Sequence, residues 1–392
     1  MRALVYVQHL LGIGHLVRAG ALARGLEAAG VRVTLVSGGS VVPGADRGVS
    51  RFVQLPPVRA ADRSFAVLLD EHDRPIDGDW RSARRERLLA LLDAEQPDLL
   101  LIEMYPFGRR KLRFEIEPLL ERAAARREAS GRPVIASSVR DVLIEPSSAQ
   151  RVDEMVERVR RYFDLVLIHA DPALIPFERS FARFPDIAHL ARYTGYVLGD
   201  PPPAADGGPG SGEVLVSVGG GTASDGIVEA VMEARALTSL AAVPWRVLVG
   251  HGCAEQRLRT LRDAAPRGVV VERARTDFLH LLANSRLSIS RGGYNTVVEV
   301  LAAGVPALCL PFVEERASEQ WLRCRLLAER GVIETVAPDE IDAGSIAAAV
   351  ARALEAAPAR TTAIDTRGAG RSAELLLRAL EARGLSGGRA AS

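Results

Sequence analysis

The chain has 392 residues, 48% hydrophobic and 25% charged, with 50 basic against 49 acidic residues and a formal net charge of +1. This length implies two or three domains, and the composition excludes disorder; the balanced charge excludes a global electrostatic grip on nucleic acid. Three cysteines, Cys253, Cys309 and Cys324, lack C-x-x-C spacing, so neither a disulfide framework nor a zinc site is expected, and a reducing cytoplasm fits.

Near-continuous apolar runs alternate with helical patterns through the first half. Candidate strands are Ala3–Val7, Val31–Val36, Leu99–Ile102, Val134–Ala136 and Leu165–Ile168, and candidate helices are Val17–Ala29, Arg81–Asp93 and Phe114–Arg127. Strands without polar alternation belong to parallel sheets buried on both faces, and strand–helix repetition implies right-handed crossovers. The pattern breaks at 199–212, GDPPPAADGGPGSG, where proline and glycine exclude helix and strand; this is the expected linker. It restarts with strands at Val214–Val218, Arg246–Val249, Val269–Val271, Leu287–Ser290 and Ala307–Leu310. Helices follow at Asp225–Ala236, Tyr294–Ala303, Ser318–Arg330, Ser345–Leu354 and Ser372–Ala382.

The expected fold is therefore α/β, with two Rossmann-like doubly wound domains facing a central cleft. The boundaries are 1–198, a linker at 199–212, 213–370, and a C-terminal helix and tail at 371–392 that could cross back to the first domain. The longest apolar stretch, Val297–Val313, is interrupted by Glu299, Gly304, Pro306 and Pro311, so no membrane span is expected. The N-terminal run Ala3–Val7 is too short for the core of a signal peptide.

Ligands of open α/β sheets bind beyond the carboxyl ends of the strands, so the loops there carry the functional reading. The first, Gln8–Leu26, contains Gly12-Ile13-Gly14-His15 at a helix start. A dinucleotide fingerprint would need a third glycine where Val17 stands and an acid where Ser37-Gly38-Gly39 follow the second strand, which disfavours hydride chemistry on NAD. Gly14 lets the backbone approach a ligand, and the helix dipole keeps His15 neutral, as a general base requires. His9 competes for this role, and a helix-capping His15 without chemistry is the structural alternative. After the third strand, Glu103–Arg113 reads EMYPFGRRKLR. Glu103, Arg109, Arg110, Lys111 and Arg113 there, with Ser138, Arg140 and Asp141 after the next strand, are candidates to meet an anionic acceptor or a membrane surface. A solvated charged helix start is the alternative.

In the second half, Val218–Thr222 reads VGGGT, and Gly220, Gly221 and Thr222 would present backbone N–H groups and a hydroxyl to an anion. The stronger loop is SRGGYNTVVEVL, 290–301. Arg291 could pair with phosphate, Gly292 and Gly293 turn the chain, and Thr296 offers a hydroxyl in the first helical turn. Glu299 lies on an otherwise apolar helix among Val297, Val298, Val300 and Leu301, where a carboxylate is costly without partners. A sugar diol is one partner; a salt bridge to an arginine is the other. Ser318-Glu319-Gln320 opens the next helix and suits sugar hydroxyls, with a solvated first turn as the alternative.

These segments resemble the GT-B glycosyltransferases. They are most similar to the branch containing the lipid II-forming peptidoglycan N-acetylglucosaminyltransferase, and to plant and macrolide nucleotide-sugar transferases. In the latter a Gly-aromatic-Asn-Ser/Thr run precedes a ribose-binding Glu, here Gly293-Tyr294-Asn295-Thr296-Val297-Val298-Glu299. The resemblance implies that Glu299 binds the nucleotide ribose, Gly293, Asn295 and Thr296 line the diphosphate with Arg291, and Glu319-Gln320 grip the donor sugar. The backbone of Arg273-Ala274 would read the base, usually uracil, and His15 would be the general base. The chain departs from the peptidoglycan branch in its first glycine turn and lacks the acceptor-binding pattern of that branch.

The expected activity is inverting transfer from a nucleotide-diphosphate sugar, UDP-linked, such as UDP-N-acetylglucosamine, to an unidentified acceptor. No cofactor and no metal are expected; partners are the nucleotide sugar and the acceptor, not nucleic acid. The expected location is the cytoplasm, with peripheral membrane association allowed. Two alternatives remain open. One is a UDP-sugar hydrolase of the pseudaminic-acid-pathway type, whose first loop resembles Gly14-His15-Leu16-Val17-Arg18. The other is a non-catalytic nucleotide-sugar-binding protein.

Overall fold

The computed structural model describes residues 1–62, 65–146, 148–218, 226–312, 319–356 and 364–384. The chain forms two compact units: the first comprises 1–172, 176–199 and the described residues from Asp365 on, and the second comprises 173–175 and the described part of 200–364.

Unit 1 contains β1 (Arg2–Val7), α1 (Gly14–Ala28), β2 (Arg32–Ser37), β3 (Arg51–Gln54), β4 (Arg59–Ala60), β5 (Leu68–Leu69), α2 (Gly78–Glu95), β6 (Leu99–Glu103), α3 (Arg113–Ser130), β7 (Val134–Arg140), α4 (Ala149–Tyr162), β8 (Leu165–His169) and β9 (Ala191–Tyr193). Seven strands form one parallel sheet in the order β3-β2-β1-β6-β7-β8-β9, while β4 and β5 pair separately. Alternate residues of β1 show why this strand is continuously apolar. Ala3, Val5 and Val7 pack against Leu16, Leu22 and Leu26 on one face, and Leu4 and Tyr6 pack against Leu88, Ile116 and Leu119 on the other. Both faces are covered, so neither admits polar residues.

Unit 2 contains β10 (Val214–Ser217), α5 (Ile227–Arg235), β11 (Trp245–Val249), α6 (Glu255–Asp263), β12 (Val269–Arg273), α7 (Phe278–Asn284), β13 (Leu287–Ser290), α8 (Tyr294–Ala303), β14 (Ala307–Cys309), α9 (Glu319–Glu329), β15 (Glu334–Thr335) and α10 (Ala343–Ala356). Its six parallel strands run in the order β12-β11-β10-β13-β14-β15. The chain then returns to unit 1, where α11 (Gly368–Glu381) packs along α1. Both sheets are Rossmann-like. Strand order reverses between β1 and β6 in unit 1 and between β10 and β13 in unit 2, and these reversals are where ligands of such sheets bind. Among the described residues, no helix is long and apolar enough to cross a membrane.

Close helix packing depends on Gly25 in α1. A Cβ there would lie 2.8 Å from the Ala369 carbonyl oxygen, whereas at Gly20 in the same helix it would meet only the flexible Arg24 end at 3.5 Å. The two substitutions therefore differ in sign. Gly25→Ala is expected to destabilise the protein by about 1–3 kcal/mol through overpacking, and Gly20→Ala to stabilise it by about 0.5–1 kcal/mol through helix propensity. Urea denaturation of both variants checks this contrast.

Candidate active site

In unit 1 the site is built at the reversal of strand order. β1 leads through Gln8–Ile13 into α1, which places His15 as the second residue of that helix. β6 lies beside β1 and ends on Glu103. The Nδ1 of His15 lies 2.8 Å from Oε1 of Glu103, and Arg18, one turn further along α1, donates from Nη2 to the same oxygen. Glu103 and Arg18 are almost sealed from solvent, with 1% and 2% of their side chains exposed, while 19% of His15 remains exposed. His15 is thus the most exposed of the three side chains.

The geometry assigns the tautomer. A carboxylate oxygen at 2.8 Å requires the proton on Nδ1, since two facing acceptors would repel. Arg18 Nη2, 3.2 Å from the same nitrogen, has no proton to offer it without a clash and is committed to the carboxylate instead. The lone pair then resides on Nε2, which has no hydrogen-bond partner among the described residues. Burial, with the Arg109 guanidinium close behind, drives the His15 pKa from the ordinary 6.5 down to about 3 against the pull of Glu103. Burial pushes Glu103 up, yet His15 and Arg18 hold it down to about 2. The cluster is therefore a neutral imidazole backed by an ionised carboxylate.

Glu103, expected on the acceptor side, is the hydrogen-bond partner of His15. His9, the competitor, is buried under Gly39, donates from Nε2 to the Ser40 carbonyl at 3.1 Å, and has its pKa lowered by burial. Further along the strand ends, His169 bridges Ser138 Oγ at 2.8 Å and Thr194 Oγ1 at 2.9 Å, and burial lowers its pKa to about 3. Asp141 is buried and accepts the Val142 N–H, and Arg140 is half-buried at the end of β7. Arg110 is exposed and faces Glu154 at 3.8 Å.

In unit 2, β13 ends at Ser290, and Arg291-Gly292-Gly293 turn the chain into α8. Only glycine fits at 292, where a Cβ would lie 2.4 Å from Cys324 Sγ, whereas Gly293 borders open space. Arg323, buried on α9, donates to the Gly292 carbonyl at 2.7 Å and holds the turn from beneath. The Arg291 guanidinium lies over the Phe312 ring. Asn295 and Thr296 occupy the first turn of α8, both half-buried. Glu299 follows, half-buried, with no hydrogen bond or ion pair among the described residues. Burial, reinforced by the charge of Asp200, pushes its pKa up to about 7.

The remaining expected donor residues divide. Glu319 and Gln320 open α9, and the Gln320 side-chain oxygen accepts the Phe312 N–H at 3.0 Å. Arg273 spends its guanidinium on the His251 and Cys253 carbonyls and on Glu255, so its side chain braces the loop. The Ala274 N–H is bonded to the Val249 carbonyl at 2.7 Å. Gly220, Gly221 and Thr222 lie outside the described residues. Sequence reasoning missed Arg323 as a support of the Gly292 turn and Glu103 as the partner of His15.

Residues 214–374 match the model of the glycosyltransferase family 28 C-terminal domain. Two curated relatives carry the name UDP-N-acetylglucosamine–N-acetylmuramyl-(pentapeptide) pyrophosphoryl-undecaprenol N-acetylglucosamine transferase. The one from Anaplasma marginale is 29% identical over 89 residues, 22% of this chain and 25% of the relative. The one from Rhodopseudomonas palustris is 32% identical over 117 residues, 29% of this chain and 31% of the relative. The matched part is thus a quarter to a third of these relatives. Similar solved structures include the calicheamicin glycosyltransferase CalG4 (TM-score 0.61, 17% identity, 97% of this chain and 98% of that one). SnogD from Streptomyces nogalater (TM-score 0.61, 20% identity, 97% and 99%) and Acinetobacter baumannii MurG (TM-score 0.60, 17% identity, 96% and 100%) are similar as well. The fold is that of the GT-B glycosyltransferases.

The two sites titrate in opposite directions. Between pH 6.5 and about 3, unfolded imidazoles take up protons that folded His15 and His169 refuse, so unit 1 loses stability as the pH falls through that window. Between pH 4.5 and about 7, folded Glu299 keeps a proton that the unfolded carboxyl has released, so unit 2 loses stability as the pH rises. Amide hydrogen exchange followed by peptide should show β1 and β6 protected less at pH 5 than at pH 7, and α8 protected more. Glu299→Gln should remove the second trend and stabilise unit 2 at pH 8 by about 1–3 kcal/mol, the cost of an unpartnered buried charge.

Proposed function

We propose that the protein is an inverting glycosyltransferase that uses a nucleotide-diphosphate sugar, UDP-linked, and needs no metal. The observation that carries this reading is the Glu299 carboxylate on α8, without a partner among the described residues, behind a glycine turn and within the segment that matches the family 28 domain. A lone carboxylate on an apolar helix is a stability cost that a ribose diol offsets by donating two hydrogen bonds. The names of the curated relatives, both of which use UDP-N-acetylglucosamine, support the choice of donor.

In this reading Gly293, Asn295, Thr296 and Arg291 border the diphosphate, where the N-terminus of α8 and a guanidinium stabilise developing negative charge. Nε2 of His15 takes the proton of an acceptor hydroxyl. The freed oxygen bonds to the anomeric carbon on the face opposite the diphosphate, the bond from that carbon to the diphosphate oxygen breaks, and the configuration inverts. The imidazolium that forms is held by Glu103 through Nδ1, as carboxylates orient and stabilise a base of this kind elsewhere. The acceptor is a hydroxyl compound, reached in solution or by peripheral contact with a membrane.

His15→Ala is expected to lower kcat by about a hundredfold to ten-thousandfold with UDP binding retained. Glu299→Ala is expected to weaken UDP binding about tenfold or more, the worth of hydrogen bonds to a charged group, and calorimetry beside a UDP-release assay measures both. Release of sugar at full rate from a UDP-sugar without any acceptor would favour hydrolysis over transfer, and tight UDP-sugar binding without turnover would favour a binding protein.

A further inference from the structure

The loop after β6 carries four basic residues, and three of them are spent locally. Arg110 and Arg113 face Glu154 at 3.8 and 3.7 Å, and Lys111 donates to the Ala66 carbonyl at 3.4 Å. Arg109 differs. Its Nε and Nη2 are buried and have no hydrogen-bond partner among the described residues. These two nitrogens form one straight edge of the guanidinium, the edge that grips a carboxylate or phosphate with two parallel bonds.

The surroundings fix that edge in place. Tyr105 is buried and donates its hydroxyl to Glu117 at 2.6 Å, and Phe107 packs edge-on against Phe177 and Phe181. Between Phe107 and α3 the backbone of Arg109 takes φ of 62°, a left-handed conformation that residues with a Cβ rarely adopt. The charge so placed is felt by His15, His9 and Glu103. The one carboxylate in the cluster, Glu103, gives Oε1 to His15 and Arg18. Glu103 offsets part of the Arg109 charge, but Arg18 adds a second cation beside it, so a ligand anion would balance the cluster.

We infer that Arg109 anchors an oxyanion of the acceptor, so that the acceptor class is a hydroxyl compound carrying a carboxylate or phosphate near the hydroxyl that His15 deprotonates. This rests on the transferase reading and names the substrate class for it. It also gives the cluster a logic. The groups acting on His15 are Glu103 from β6, Arg18 from α1 and Arg109 from the loop, and Arg109 is the strongest influence after burial in keeping the imidazole from accepting a proton. An oxyanion on Arg109 offsets that charge. His15 then becomes basic when the acceptor is seated and stays a poor base toward water when it is not.

The test uses the full chain with isotope-labelled histidine. The His15 resonance is followed by NMR during separate titrations with inorganic phosphate, lactate and glycerol, and UDP binding is measured by calorimetry. Phosphate or lactate is expected to shift the resonance saturably and raise the His15 pKa, while neutral glycerol leaves both unchanged. Arg109→Gln should weaken anion binding by about tenfold to a hundredfold, as loss of a charged bidentate contact does. Arg109→Lys, which keeps the charge without the straight edge, should fall between, and both variants should bind UDP like the wild type and melt near it. Tighter phosphate binding places the acceptor among phosphate esters, and tighter lactate binding places it among hydroxy acids. No saturable shift with either anion, equal affinity in Arg109→Gln, or UDP binding weakened by Arg109→Gln overturns the proposal. Failure of the wild type to bind UDP, with the anion response intact, overturns the transfer reading and the acceptor assignment with it, and leaves the anion site standing.

Discussion

The carboxylate of Glu103, sealed at the end of β6, is the constraint on which unit 1 turns. Burying it is tolerable only because His15 and Arg18 reach it from the first turns of α1, and they reach it because β1 and β6 are neighbours where the strand order reverses. That single contact fixes three properties of His15: its ring orientation, its tautomer and the stability of the cation it would become. Arg18 and Arg109 oppose the third property, so the resting imidazole is neutral and weakly basic. A base that must act on one hydroxyl and ignore water benefits from that balance, because its proton affinity is governed by what is bound beside it.

Unit 2 handles charge in the opposite way. Its turn is braced by a buried arginine, since Arg323 holds the Gly292 carbonyl and Cys324 leaves no room for a side chain at 292. Glu299, one helical turn beyond Asn295 and Thr296, has no hydrogen bond or ion pair among the described residues. In the first unit His15 and Arg18 engage one oxygen of the carboxylate, which under the proposed reading presets the base. In the second, Glu299 carries a burial cost that, under the proposed reading, a ligand's hydroxyls offset.

Most of the architecture was legible because parallel strands covered on both faces leave an unbroken apolar signature; β1, β6, β8 and β13 were found within a residue or two of their observed ends. The elements that escaped lack that signature. β3 is a half-buried edge strand reading RFVQ, α4 and α6 are dominated by charged residues, and β7 continues through Ser137 and Ser138 to Arg140, where buried hydroxyls serve Tyr105 and His169. In the site, His15 and Glu299 were legible as chemically awkward residues at strand ends and on an apolar helix. The pairing of His15 with Glu103 was not, because 88 residues separate them and only the sheet order brings them together. Nor did the run Arg109-Arg110-Lys111 show which of its members turns inward; that depends on one left-handed backbone angle and two anchored rings.

The protonation state of His15 tests the account most directly. Long-range nitrogen–proton NMR of histidine-labelled protein at pH 7, with His15→Gln used to assign the signal, reports which ring nitrogen carries the proton. The account predicts a neutral ring with the proton on Nδ1, displaced downfield by Glu103, and a bare Nε2. A proton on Nε2 with Nδ1 bare, or a doubly protonated ring, would contradict it.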